Sequence, residues 1–422
     1  MDTPLIPRRI RLVPPQLGTY FRPSRVDHKS LFAFLAEGTP AGLAGVVFDP
    51  TLDAMHAELR EEVCERKLQA VLDTRAMELA LPGGFVGSRC SLPWAGDRLH
   101  QPDQLRGAAG RDWVKTIVDY AQQRNFTSIV APTHYLADGI SDPWFGIDHD
   151  LTLALREELN KAGLPMMPIY YRLALKSDAF FDTRQREQLR LSFQSLPADA
   201  IWLRVHPFGA RSGARVVRKY ILACADLHSS ALPLVAEKSG TVGLALLAFG
   251  AVGGIESGIT VGEHFDANNL LSSRKGGKAF SPLARVYLHE LQAFLSMKQA
   301  GPLFENRTAR AYLACKEDRC CPRGSDDTLR DPKRHFLRRR TAEVARLSAL
   351  PETLRAARYM EEILRPATDR MAKAVRLEPA LIATRERLDV LRTVLGAILE
   401  EGAPASFSAV PEGKRIQTRR GA

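Results

Sequence analysis

The chain has 422 residues, 45% hydrophobic and 25% charged, with a formal net charge of +11. That is ordinary for a large globular domain with a smaller one attached, and the positive balance favours an acidic partner. No stretch approaches the roughly 18–20 uninterrupted apolar residues of a membrane helix, and the first residues, Met1-Asp-Thr-Pro-Leu-Ile-Pro-Arg-Arg, lack the apolar run of a signal peptide, so no membrane partner and a cytoplasmic location are expected.

Between about residues 40 and 270 short apolar runs alternate with amphipathic helical patterns, the rhythm of a parallel sheet covered on both faces. Seven strands are predicted, at 44–48, 68–72, 127–131, 166–171, 200–205, 232–236 and 255–261. After the first, Leu52, Met55, Leu59 and Val63 form a helical stripe; 151–161 reads as a helix capped at Gly163; the helix after Asp182 carries Leu189, Phe193 and Leu196. An eighth strand is sought at 10–13 or within 81–112. A closed (β/α)8 TIM-type barrel over residues 1–300 fits this count better than an open doubly wound sheet. From about residue 280 helical patterns take over, at 282–298, 341–350, 351–364 and 381–399, punctuated by Pro351, Pro366 and Pro379. Residues 301–400 read as a helical appendage and 401–422 as a mobile basic tail.

Several common chemistries fail on spacing. The glycines of Gly250-Ala-Val-Gly253-Gly254-Ile-Glu-Ser-Gly258 lack the dinucleotide pattern, and Ser272-Ser-Arg-Lys-Gly-Gly-Lys278 is no phosphate-cradling loop. His289-Glu290 has no second histidine four residues on, and no Gly-x-Ser-x-Gly elbow is present.

In a barrel the chemistry sits at the carboxyl ends of the strands. Those ends offer Asp49, Asp73, His134-Tyr135 with Asp138, Tyr170-Tyr171-Arg172, Arg204 with His206, Glu237-Lys238, and Gly262-Glu263-His264 with Asp266. Aspartates serve as nucleophile or general base, arginine and lysine anchor phosphate, and tyrosine stacks on a base. Asp49-Pro50 reads equally as a helix cap, as does Asp73-Thr74. Arg204 inside an apolar strand must be paired or functional.

Three of the six cysteines fall in Cys315-Lys-Glu-Asp-Arg-Cys320-Cys321, and His335 follows. Cys315, Cys320, Cys321 and His335 have the composition of a structural zinc site. Lys333, Arg334, Arg338, Arg339 and Arg340 surround that histidine, and their charge points to nucleic acid. Cys64, Cys90 and Cys224 lie far apart and read as free thiols.

A barrel followed by a cysteine-rich segment, a histidine and basic helices resembles the tRNA-guanine transglycosylase superfamily, including its DNA-acting 7-deazaguanine relatives. Gly258-Ile-Thr-Val-Gly262-Glu263 is similar to the family's Leu-Ala-Val-Gly-Glu loop, which holds the incoming base. The chain departs from the family's Cys-x-Cys-x-x-Cys spacing, its aspartate-rich nucleophile segment and its Asp-Ser-Gly-Gly-Phe stretch, although Asp73 and Pro82-Gly83-Gly84-Phe85 stand in comparable positions. The resemblance implies base exchange at a nucleoside of tRNA or DNA: an aspartate attacks C1′, guanine leaves and a 7-deazaguanine base replaces it, with Asp73 as one carboxylate and Asp266 or Asp49 as the other. Arg204, Lys238 and the 333–340 cluster would then hold phosphates, with a homodimer or partner subunit among the expected partners and the source of the second carboxylate left open between this chain and such a subunit. The competing expectations are a non-catalytic nucleic-acid-binding barrel and a barrel enzyme acting on a small phosphorylated metabolite.

Overall fold

The computed structural model of the chain describes residues 17–230, 232–272 and 285–402. Eight parallel strands form its centre: β1 (Gly18–Arg22), β2 (Leu43–Phe48), β3 (Gln69–Asp73), β4 (Ser128–Val130), β5 (Ile169–Lys176), β6 (Ala200–His206), β7 (Leu234–Glu237) and β8 (Gly254–Gly258). Each pairs with its neighbour in sequence, and β8 pairs back onto β1 from Gly18–Gly254 to Arg22–Gly258. The ring is closed, so the fold is a TIM-type barrel and the open sheet is excluded.

All seven strands read from apolar runs are present. The eighth is β1, neither of the two segments expected: 10–13 lies outside the described residues, and 81–112 forms loops, 3-10 turns and the start of the helix Gly107–Gln123. Gly-Thr-Tyr-Phe-Arg looks polar, yet Thr19, Tyr20 and Phe21 are fully buried, because both edges of the strand are paired and its two faces meet the barrel interior and the outer helices.

Alternate residues of the strands point inward and stack in layers. Tyr20, Val47, Val71, Val130, Tyr170, Trp202 and Val235 make an apolar lower layer, with Tyr170 and Trp202 stacked at 5.2 Å between ring centroids. Two residues further along the strands the interior changes character, to Arg22, Asp73, Arg172, Arg204 and Glu237.

Two local readings need correction. Helix Asp53–Glu65 buries His56, Leu59, Arg60 and Val63, while Met55 faces solvent. The helix expected over 282–298 is instead, in its described part, a hairpin of β9 (Arg285–Leu288) and β10 (Ala293–Ser296), turning through Gln292 at φ 48°. Its valine, tyrosine and phenylalanine favour pairing, and one antiparallel partner satisfies the backbone that a helix would otherwise satisfy locally. The main C-terminal helices are Met297–Glu305, Pro332–Ala349, Glu352–Tyr359, Arg365–Ala374 and Ile382–Glu400. Pro351 and Pro379 stand at helix starts as expected. Pro366 breaks nothing, because the π-turn Met360–Leu364 directly precedes it and absorbs the lost N–H.

These helices share one apolar core with the outside of the barrel; Phe336 meets Phe21 of β1 edge-on at 5.9 Å. No helix among the described residues is long and apolar enough to cross a membrane. Residues 403–422, the basic tail, and 273–284, which hold most of the Ser272–Lys278 segment, lie outside the described residues.

Candidate functional site

At the carboxyl ends of the strands the charged layer forms one buried network. Glu237 accepts two forked pairs of hydrogen bonds, from Arg172 Nε and Nη2 at 2.8 and 2.9 Å and from Arg204 Nε and Nη2 at 2.8 and 2.9 Å. Arg172 also donates from Nη1 to Asp73 at 2.8 Å, and Arg22 joins Asp73 at 2.5 Å to Glu256 at 2.7 Å. Arg75 bridges Asp49 and Glu78. Burial alone would raise these carboxyl groups, but the guanidinium groups prevail: Arg172 and Arg22 hold Asp73 well below the usual carboxylate range, Arg172 and Arg204 hold Glu237 at about 2, and Arg75 holds Asp49 at about 2.

The network leaves donors and acceptors over. Arg22 Nη2, Arg204 Nη1 and Glu78 Oε2 are buried without a hydrogen-bond partner among the described residues. The nearby carboxylate contacts, Arg22 Nη2 to Glu237 at 3.5 Å and Arg204 Nη1 to Glu78 at 3.6 Å, are ion pairs without hydrogen-bond geometry.

Above this floor opens a cavity of about 810 Å³, roofed by the β9–β10 hairpin and the helix Ile382–Glu400. Arg22, Arg75, Arg89, Arg211, Lys238, Arg285 and Arg387 line it, against Glu78, Glu263 and Asp266. Cations outnumber carboxylates there, so the mouth favours an anion. Glu263 is 8% exposed, with Arg285 Nη1 3.4 Å from Oε1 as an ion-pair contact only. Burial pushes its carboxyl up to about 7 against the pull of Arg285 and Arg340. Gly262, at φ 74°, supplies the left-handed turn that delivers Glu263 to the rim.

The raised Glu263 has a stability consequence. A carboxyl whose folded-state pKa exceeds its ordinary 4.5 stabilises the fold below 4.5, and that contribution disappears as pH rises through about 7. Glu263→Gln should therefore melt higher than the parent chain at pH 8 and gain less at pH 5. An equal shift at both pH values in thermal melts would contradict the assignment.

The residues singled out in the sequence lie in different parts of the barrel end. Asp73, Arg204 and Glu237 meet in the buried layer, and Lys238, Gly262, Glu263 and Asp266 line the mouth above it. Asp49 caps the turn after β2, accepting from Thr51 N at 3.0 Å, and pairs with Arg75. His206 Nδ1 accepts from Ala267 N at 2.9 Å and lies 3.5 Å from Asp266, so it ties down the loop after β8. Tyr170 is misplaced by the sequence reading: β5 runs on to Lys176, which leaves this tyrosine fully buried in the apolar layer beneath the charges, not at the mouth.

The basic run also differs from expectation. Lys333 pairs with Asp27 at 2.8 Å, Arg334 with Glu37 at 3.2 Å, Arg338 with Glu37, and Arg339 with Glu317 at 2.7 Å. Arg340 is buried across Tyr287 and Phe336, 5.0 and 5.6 Å from the ring centroids, with Glu343 3.9 Å away. Each cation of the run thus meets a carboxylate, most of them distant in sequence, with Arg334 and Arg338 sharing Glu37. The sequence reading missed Arg22, Arg75, Glu78, Glu256, Arg211, Arg285 and Arg387. Arg172, read with Tyr170-Tyr171 as a strand end, lies inside β5 and belongs to the charged inner layer.

Cys315, Cys320, Cys321 and His335 converge, all buried, with their donor atoms within 4.8 Å of one another. The amides of both Cys320 and Cys321 donate to the Glu317 carbonyl, at 2.9 and 2.8 Å, and this turn brings the adjacent thiols to one side. Asp331 caps the helix Pro332–Ala349 and sets His335 in its first turn. A tetrahedral ion with bonds of about 2.3 Å to sulfur and about 2.0 Å to nitrogen sets donor edges of roughly 3.5–3.8 Å. The edges are 3.7 Å between Cys320 and Cys321 and 3.5 and 3.3 Å from these to His335 Nδ1. Hydrogen bonds from Cys320 and Cys321 draw Cys315 far toward the thiolate. The donor set fits a metal ion, closed on four sides. Of the other cysteines Cys224 is buried, Cys64 half-buried and Cys90 exposed, all as free thiols.

No protein-family model matches the chain, and no curated protein matches its sequence. Among solved structures, a thermostable mutant of a xylanase (Xyn10A) from Cellvibrio japonicus is similar over 58% of this chain and 86% of its own, at 10% identity and a TM-score of 0.36. The barrel assignment rests on the strand pairing itself.

Proposed function

We propose that the chain is a barrel enzyme whose mouth takes a phosphorylated substrate, with a zinc ion fastening the C-terminal helices. The observation that carries this reading is the cationic cavity over a floor where Arg22 Nη2 and Arg204 Nη1 are buried donors without acceptors. Charge-assisted, forked guanidinium contacts are the strongest means a protein has of holding phosphate. Calorimetric titration with inorganic phosphate, pyrophosphate and a nucleoside monophosphate tests it. Replacing Arg211 and Arg285 together by alanine should weaken binding by about tenfold or more. Undiminished affinity in that variant would refute the site.

A second reading is base exchange at a nucleoside, as the transglycosylase resemblance implies. It is favoured by Glu263, protonated up to about pH 7, and Asp73, kept ionised, at one end of one barrel: the division between acid and nucleophile that such chemistry uses. Asp73 could attack only after Arg22 or Arg172 released one of its oxygens. Incorporation of labelled guanine into tRNA or DNA, lost in Asp73→Asn, would select this reading over the first.

A further inference from the structure

Lys238 directly follows β7 and lines the mouth. Its backbone is left-handed, φ 51°, a conformation that a lysine adopts only when its surroundings enforce it. Here Glu256 enforces it: the Lys238 N–H donates to the Glu256 carbonyl at 3.0 Å and to Glu256 Oε2 at 3.1 Å. The side-chain amine, in contrast, makes no ion pair or hydrogen bond among the described residues. It lies 5.8 Å from the centroid of the Phe265 ring, and the Arg204 guanidinium lies 5.6 Å from the same ring. Lys333 and Lys115 each hold a carboxylate, at 2.8 and 2.5 Å, and Lys219 and Lys373, which also lie over aromatic rings without an ion pair among the described residues, do not line the mouth.

An amine that lines the mouth beside guanidinium groups and has no carboxylate in contact is poorly placed to carry a proton, despite the pull of the Phe265 ring face on the ammonium, and well placed to attack an electrophile. We propose that Lys238 is a nucleophile that forms an imine with a carbonyl group of the substrate. This deepens the reading of the mouth as an enzyme site, and rests on it for the anionic half of the substrate: a phosphorylated aldehyde or ketone. The neutral amine adds to the carbonyl carbon as the C=O π pair moves to oxygen; one proton passes from nitrogen to that oxygen, giving a carbinolamine, then the hydroxyl takes a second proton and leaves as water while nitrogen forms C=N and releases its remaining proton, which restores the acid. No oxidant or reductant enters. Glu263, in the same mouth, is the acid available for the departing hydroxyl. In support, burial and then the charge of Arg204 bring the Lys238 amine down to about 8, with Arg22 acting the same way and Glu256 and Glu78 opposing.

The test treats the full chain at pH 7.5 with a small amount of pyridoxal 5′-phosphate, reduces with borohydride and maps labelled lysines by peptide mass. A lysine of pKa about 8 holds on the order of a hundred times more free amine at that pH than an ordinary one. Lys238 should therefore take up at least about ten times more label than any other lysine, and Lys238→Met should lose that label alone. Labelling of Lys238 at the pace of exposed lysines in the parent chain overturns the proposal, whether or not the variant folds. Unphosphorylated pyridoxal and competing inorganic phosphate separate the two readings. Preferential labelling by both aldehydes without protection by phosphate keeps the nucleophile and removes the phosphate site. Calorimetric phosphate binding without preferential labelling does the reverse.

Discussion

Exchanging Cys315 for serine, or exposing the chain to a strong chelator, should release one metal ion per chain and lower Tm by about 10 °C or more. Three thiol groups and an imidazole are buried within 4.8 Å of one another, and the thiols have each other, Thr328, His335 and the Glu317 backbone as polar partners. An ion bound there would tie the 315–321 turn to the first turn of Pro332–Ala349, the helix whose Phe336 packs on β1. Loss of that tie loosens the support of the barrel wall, so the effect should reach beyond the local segment. Elemental analysis beside thermal melts checks both halves; a chain that melts identically with and without chelator, and carries no metal, would remove the centre. His335→Ala should reproduce the serine variant, because a three-donor site binds more weakly.

Glu237→Ala should destabilise the chain by about 3–5 kcal/mol, the largest effect expected of a single carboxylate here. Its two oxygens accept four guanidinium hydrogen bonds at zero exposure, and its removal leaves Arg172 and Arg204 facing each other. Denaturant unfolding measures this, and a loss below about 1 kcal/mol, the scale of an exposed pair, would mean that the network is not formed as described. The same group shapes acid stability. Its folded-state pKa of about 2 lies below the ordinary 4.5, so its contribution is complete above 4.5 and is lost as pH falls through about 2. Asp49 and Asp73 act in the same direction, and Glu237→Gln should shift the acid-unfolding midpoint upward.

Much of the site was legible residue by residue and little of it as an arrangement. Arg204 in an apolar strand announced a buried charge, and Glu237, Lys238 and Glu263 were found because strand ends carry barrel chemistry. Tyr170 was misassigned by a strand boundary: ending β5 at 171 rather than 176 moved an interior aromatic to the rim. Arg285, Arg387 and Arg211 gave no signal, since they reach the mouth on a hairpin, a distant helix and a loop whose placement depends on packing. The pairing of the basic run was not legible for a related reason, its partners Asp27, Glu37 and Glu317 being near in space and mostly remote in sequence.

Local periodicity and composition determined what repeats along the chain: the alternation of strands and helices, seven of the eight barrel strands, and the four donors of the candidate metal centre, because those depend on residue type and spacing. Tertiary structure alone decided which charges are neutralised and which stand open, that β1 closes the ring, and that a hairpin roofs the mouth. Electrostatic pairing and strand edges are settled by distances in space, and a linear order of residues does not contain them.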